Sequence, residues 1–192
     1  MTTVAGLATR QRLLAAAREL IEEGGYGAAS VAAIAQGAGV ASGTVYRHFA
    51  SKAELFLEVF RDVCAGEERA MLAAADGAGP SAVDRLEAVL ATFARRALQN
   101  RQLAWALLAE PVDPLVDAER LAYRERYAAV VAAELRAAIG AGEIPPQDVS
   151  FTAAALVGGC GEALVGPLSS VDGSDQVVAA IQTFVRRAIG AA

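Results

Sequence analysis

Residues 25–52 read GYGAASVAAIAQGAGVASGTVYRHFASK, and the fold turns on how this stretch is punctuated. Ser30 is placed to cap a short helix whose apolar stripe, Val31, Ile34, Ala35 and Ala38, follows helical spacing. Gly39 breaks that helix, Val40 can tuck into a core, and Ser42 to Phe49 form another short helix. Upstream, residues 9–24 place Leu13, Ala17, Leu20 and Ile21 on one face, with Thr9 as the expected cap and Gly24-Gly25 as the stop. Three short helices with a glycine-containing turn before the last follow the helix-turn-helix plan.

The rest of the chain reads as helices separated by Gly/Pro breaks. Ser51 and Glu54 make a capping box that opens a fourth helix, expected to run to about Ala75. After the loop at 76–80, Ser81 caps a fifth carrying Val83, Leu86, Leu90, Phe93 and Leu98. A sixth covers 101–109. Asp113 and Pro114 then cap and start a seventh, which runs to about Ile139. An eighth is expected at 148–165 and a ninth at 174–189. Of the 192 residues, 55% are hydrophobic but only 6% aromatic, with alanine, the best helix former, supplying much of the difference. The expected fold is all-α, with about nine helices. A three-helix helix-turn-helix domain occupies 1–52, and a helical ligand-binding and dimerisation bundle occupies 53–192.

Composition narrows the function. The net charge of −5 is uneven: residues 1–52 hold five basic and three acidic side chains, the remainder twelve and nineteen. The positive field therefore lies at the N-terminal end. No uncharged apolar run reaches the length of a membrane span, and the N-terminus lacks the apolar block of a signal peptide, so cytoplasmic residence is expected. Cys64 and Cys160 match no metal spacing and are expected as buried, reduced thiols. With one histidine, no phosphate-binding glycine loop and no metal cluster, the chain reads as neither an enzyme nor a cofactor protein.

The stretch from Gly25 to Lys52, with Thr9-Arg10, Leu13-Leu14, Ala16-Ala17 and Leu20-Ile21 before it, resembles the signature of the tetracycline-repressor (TetR) family. The close match ends near residue 60; beyond it the chain is similar only in helix number and order. That resemblance implies a DNA-binding transcriptional regulator, more often a repressor than an activator, whose C-terminal bundle takes a small-molecule effector. It also implies that Tyr46, His48 and Lys52 meet backbone phosphates. Physical reading adds detail. A recognition helix must enter a major groove about 12 Å wide, and Ser42, Gly43 and Thr44 are small enough to let it approach. Arg47 is the best candidate for a guanine contact. The amides at Ser30-Val31 and Ser42-Gly43 favour a phosphate. Three positions depart from the family pattern: Ala32, Ala33 and Ala41 stand where polar residues are usual, which puts weight on Arg47, Thr44, Arg10 and Arg12.

In the bundle, Phe60, Cys64, Phe93, Trp105, Tyr123, Tyr127 and Phe151 are expected around an effector cavity. Glu162 shares a stripe with Phe151, Ala155, Gly158 and Val165, and is expected as a buried ligand handle or as a partner for an arginine across a dimer. The ninth helix shows two apolar faces: Val177, Ile181, Phe184 and Ala188 on one, Val178 and Val185 on the other. A homodimer through the helices near 148–165 and 174–189 follows. Its partners are double-stranded DNA with a near-palindromic operator and an unidentified effector, with no membrane. The alternative is a helical adaptor of the same fold that lacks specific DNA binding.

Overall fold

The computed structural model describes residues 4–191. Among these residues there are nine helices and no strand: α1 Val4–Ala28, α2 Val31–Gly37, α3 Ser42–His48, α4 Lys52–Gly77, α5 Ala82–Gln99, α6 Arg101–Leu108, α7 Pro114–Gly140, α8 Val149–Val165 and α9 Ser174–Ile189. The all-α expectation holds, and α2, α4, α5 and α7 start at the expected caps. Ser30 accepts from the Ala33 amide and Ser81 from Asp84; Asp148, which the sequence reading does not single out as a cap, accepts from Phe151. Ser51 accepts from the Glu54 amide, and Glu54 reaches back to the amide of Ala50. Each bond satisfies a donor that the first helical turn leaves orphaned.

Thr9 is not a cap. Because α1 begins at Val4, Thr9 lies inside it and its hydroxyl donates to the Ala5 carbonyl at 3.0 Å. Gly25 does interrupt the helix, with φ 76° and ψ −176°, a conformation open to glycine alone. One further turn, to Ala28, follows the kink.

The chain divides into two compact units. The first holds the chain up to Val63 together with Gln102–Arg120; the second holds Cys64–Arg101 and the chain from Leu121 onward. In the first, α1 packs on α2 and α2 on α3. Leu13, Ile21, Ile34, Val45, Phe49, Leu55 and Phe56 are all almost fully buried there. Of the residues expected to face inward at helical spacing, Leu13, Ala17, Ile21, Ile34, Ala35 and Ala38 are buried, whereas Leu20 and Val31 are only half-buried.

In the second unit α5 packs against α8 and α9. The buried stripe of α9 is Val177, Val178, Ile181, Val185 and Ile189. Phe184 and Ala188, expected on that stripe, face outward instead, and Phe184 is 50% exposed. The reason is rotational: 181, 185 and 189 run along one line of the helix, and 184 and 188 along the next. Glu87 is buried on α5 and pairs with Arg186 of α9, which also reaches Asp84 at 3.0 Å. Arg186→Ala leaves the buried carboxylate short of its charged partner. A destabilisation of about 1–3 kcal/mol is expected, read as a lower urea midpoint with unchanged slope.

Glu143 joins the loop after α7 to the start of α5. Its carboxylate accepts from the amides of Val83 and Ala82, at 2.9 and 3.1 Å, and from the Ser81 hydroxyl at 2.9 Å. The Val83 and Ala82 amides hold its carboxyl below the usual carboxylate value. A depressed value means that stability is present above the ordinary carboxylate range and is lost as pH falls through the folded value. Glu143→Gln is therefore expected to flatten the acid limb of the stability–pH curve, measured by urea titration from neutral pH downward.

Candidate functional site

α3 is held by little and displays much. Val45 and the following Phe49 are buried, whereas Ser42, Gly43, Tyr46 and Arg47 are exposed and Thr44 and His48 half-buried. Tyr46 is 59% exposed, so its ring is not a core element. The Arg47 guanidinium donates to the Thr44 hydroxyl at 3.0 Å, one turn back on the same face. A methyl added at Gly43 would meet open space, so nothing within the chain requires a glycine there. Ala41 precedes the helix without any side-chain cap. Thr44, Arg47 and His48 also line an open groove of about 560 Å³. Its other walls are Val40 and Ala41 before α3 and Ala5, Gly6 and Thr9 of α1. Hydroxyl, guanidinium and imidazole groups thus share one exposed face, the arrangement needed to meet phosphates and base edges.

Not every expected contact is on that face. Ser30 and Val31 open α2, where the Ser30 hydroxyl is taken up by the Ala33 amide at 3.1 Å. Arg10 pairs with Glu58 of α4, and its guanidinium lies 4.9 Å from the centre of the Phe49 ring. Arg12 is exposed.

Lys52 has partners within the chain: its ammonium donates to the Tyr26 carbonyl at 2.6 Å and stands 3.9 Å from the centre of the Tyr26 ring. Partial burial pushes that ammonium down from its usual range, and the charge of Glu110 opposes the shift. Glu110 itself follows α6 and accepts from the amides of Tyr26 at 2.8 Å and Gly27 at 3.2 Å. Nothing in the local sequence singles out Glu110. No periodicity marks a carboxylate that acts on amides more than eighty positions away.

The expected effector residues divide. Cys64, Phe93, Tyr123 and Tyr127 come together, buried, in the second unit. The Tyr127 ring centre is 6.0 Å from that of Phe93 and 6.0 Å from that of Tyr123, and the Tyr127 hydroxyl donates to the Cys64 carbonyl at 3.1 Å. Burial pushes the Tyr127 hydroxyl far above the usual phenol value, so it stays a neutral donor. Phe60 is buried in the first unit, its ring centre 6.5 Å from that of Phe56.

Trp105 is 41% exposed and Phe151 75% exposed, and neither lies in the buried cluster. Glu162 is exposed rather than buried. α8 turns Ala153, Leu156, Val157, Cys160 and Leu164 inward, which leaves 151, 155, 158 and 162 on the opposite side. Both cysteines are free and buried, and burial pushes the Cys160 thiol up to about 11. Among the described residues, no helix is long and apolar enough to cross a membrane.

Comparison with known proteins agrees with this geometry. A family model described as "Bacterial regulatory proteins, tetR family" matches residues 13–59, and one described as "Tetracyclin repressor-like, C-terminal domain" matches residues 79–164. The HTH-type transcriptional regulator UidR of Escherichia coli K12 is 31% identical over 140 residues, covering 72% of this chain and 70% of UidR. The structure of the transcriptional regulator FadR from Bacillus subtilis, in complex with stearoyl-CoA, superposes with a TM-score of 0.77 at 22% identity, covering 93% of this chain and 97% of that one. AibR, in complex with isovaleryl coenzyme A and operator DNA, gives 0.71 at 17% identity, covering 92% and 97%.

Proposed function

The chain belongs to the tetR family of bacterial regulatory proteins and is a helix-turn-helix transcriptional regulator; from that premise we propose that α3 reads operator DNA as the recognition helix of a homodimer. The observation that carries this reading is the exposed face of α3, with Arg47 and Thr44 joined one turn apart. Arg47 takes a guanine edge. Thr44, Ser42 and Gly43 form the close approach, and Tyr46 and His48 reach phosphates on either side. Ser30 and Val31 at the start of α2 flank the same strand. The head proper is 1–52, and 53–192 serve effector and dimer.

The first test uses a duplex selected from a random-sequence pool by the purified protein. Arg47→Ala is expected to weaken binding to that duplex by about 1–3 kcal/mol, roughly 5- to 150-fold, with little change on random DNA. Fluorescence anisotropy reads both. Equal losses on selected and random DNA would move Arg47 from base reading to phosphate contact, and no preference in the wild type would favour the adaptor reading.

The dimer surface is the outward side of α8 and α9. Phe151 and Phe184 are large, apolar and exposed, and Gly158, Gly159 and Gly161 lie between them in sequence. Each of those mid-helix glycines costs about 1 kcal/mol relative to alanine, yet an added methyl would touch nothing in the chain. A closely approaching partner helix supplies the reason to keep them. A two-fold pair places recognition helices about 34 Å apart, on successive major grooves.

The regulatory reading is release: an effector bound by the bundle lowers operator affinity, with a coupling of about 1–3 kcal/mol. The buried cluster of Cys64, Phe93, Tyr123 and Tyr127 supports an apolar ligand portion with a phenol as polar handle. Acyl-CoA thioesters are the first compounds to test, because two proteins of similar fold hold them. A fall in anisotropy of the protein–DNA complex on adding one of them supports release. Thioester and DNA bound together with unchanged affinities would contradict it.

A further inference from the structure

Gly25, Tyr26 and Gly27 form the kinked end of α1, and two side chains from distant, later parts of the chain converge on it. Lys52, the first residue of α4, donates to the Tyr26 carbonyl and covers the Tyr26 ring. Glu110, from the link between α6 and α7, accepts from the Tyr26 and Gly27 amides. An added methyl at Gly25 would stand 2.8 Å from both Glu110 Oε2 and Gln102 Nε2, so the link is seated directly on the kink. The other side of the link is also fixed. Arg120 of α7 donates to the carbonyls of Leu107 at 2.7 Å and Glu110 at 3.0 Å. A continuous polar chain therefore runs from Arg120 through Glu110 and Tyr26 to Lys52.

We propose that Glu110 and Lys52 are a paired positioning device: Glu110 fixes the kinked end of α1, Lys52 ties that end to the start of α4, and together they set the pose in which α3 is presented to DNA. Lys52 then serves the fold of the reading head from within and is not one of its phosphate contacts. An ammonium engaged by a carbonyl and an aromatic face has given up water for fixed partners, and leaving them for a phosphate forfeits both. The segment Gln102–Arg120 belongs to the first unit, while the chain immediately before and after it belongs to the second. Displacement of α6 or α7 by an effector reaches Glu110 along the backbone. Resting on the regulator reading, this assigns the link a role in effector response as well as in DNA affinity.

The experiment combines a salt titration with hydrogen exchange on the full chain. Against the selected duplex, Glu110→Ala and Lys52→Met are each expected to lower affinity by about tenfold, and the double variant by little more than either, since both break one device. The salt slope of log K should stay unchanged in all three, because no phosphate contact is lost. In the free protein, Glu110→Ala should speed exchange of the Tyr26 and Gly27 amides and leave those of α2 protected, which separates a loosened kink from an unfolded head. Glu110→Gln, which keeps one acceptor, should fall between wild type and alanine. A Lys52→Met slope shallower by about 0.9, the signature of one lost phosphate contact, would overturn the proposal. So would unchanged exchange at Tyr26 and Gly27 in Glu110→Ala. Wild-type protein that fails to prefer the selected duplex would instead count against the regulator reading, with the exchange arm still deciding the contact.

Discussion

Gly25→Ala is expected to destabilise the first unit by about 3 kcal/mol. Two costs combine. The backbone at Gly25, φ 76° and ψ −176°, belongs to a region essentially reserved for glycine, worth of order 1–3 kcal/mol for any other residue. The new methyl also meets Glu110 Oε2 and Gln102 Nε2 at 2.8 Å. Glu110 can retreat only by giving up its bonds to the Tyr26 and Gly27 amides. Gly27→Ala is the control. No positive φ is required there and the nearest outside atom is 3.8 Å away, so that change should be neutral or stabilising by up to about 1 kcal/mol. Thermal and urea unfolding of the two variants compare them. Equal behaviour would remove the kink from the account.

Phe151→Glu combined with Phe184→Glu is expected to turn the protein into a monomer and to weaken operator binding by about 100-fold, because the second head then no longer binds as a tethered partner. Both phenylalanines are on the outward side of helices whose inward sides are already filled, so the single chain should still fold. Light scattering should give a mass near the 19.7 kDa of one chain, against twice that for the wild type. Circular dichroism should be unchanged. A wild type that is already monomeric at micromolar concentration would remove the seam from the mechanism.

How far these features were legible depended on distance along the chain. Caps at Ser30, Ser51 and Ser81 act within three residues, so local residue chemistry marks these helix starts. The short helices with Val31, Ile34 and Val45 were readable for the same reason. Thr9 misled because a good capping residue also fits inside a helix, where its hydroxyl bonds back to the preceding turn.

Longer-range facts were less readable. On α9 the apolar residues cover so much of the circumference that periodicity alone did not separate Ile181 and Val185 from Phe184. Glu162 looked buried because its helix is otherwise uncharged, yet that helix is apolar on two sides and only one is filled by its own chain. The Glu110–Tyr26 bonds depend on where α6 ends in space, and the Lys52 tether on where α1 ends beside the start of α4, which no residue pattern near 26, 52 or 110 encodes. Four of the aromatic-cluster residues, Cys64, Phe93, Tyr123 and Tyr127, were found by size and helical face; Trp105 and Phe151 share that signature and are exposed.

The most direct test of the central claim is a hydroxyl-radical footprint of the wild-type protein on DNA carrying the selected sequence. The account predicts two protected half-sites one helical turn apart, about 10 base pairs centre to centre, or a multiple of that spacing, related by approximate two-fold symmetry. It also predicts that protection disappears with Arg47→Ala at the same protein concentration. A single unsymmetrical footprint, or one that survives loss of Arg47 unchanged, would contradict a dimer whose α3 helices read the DNA.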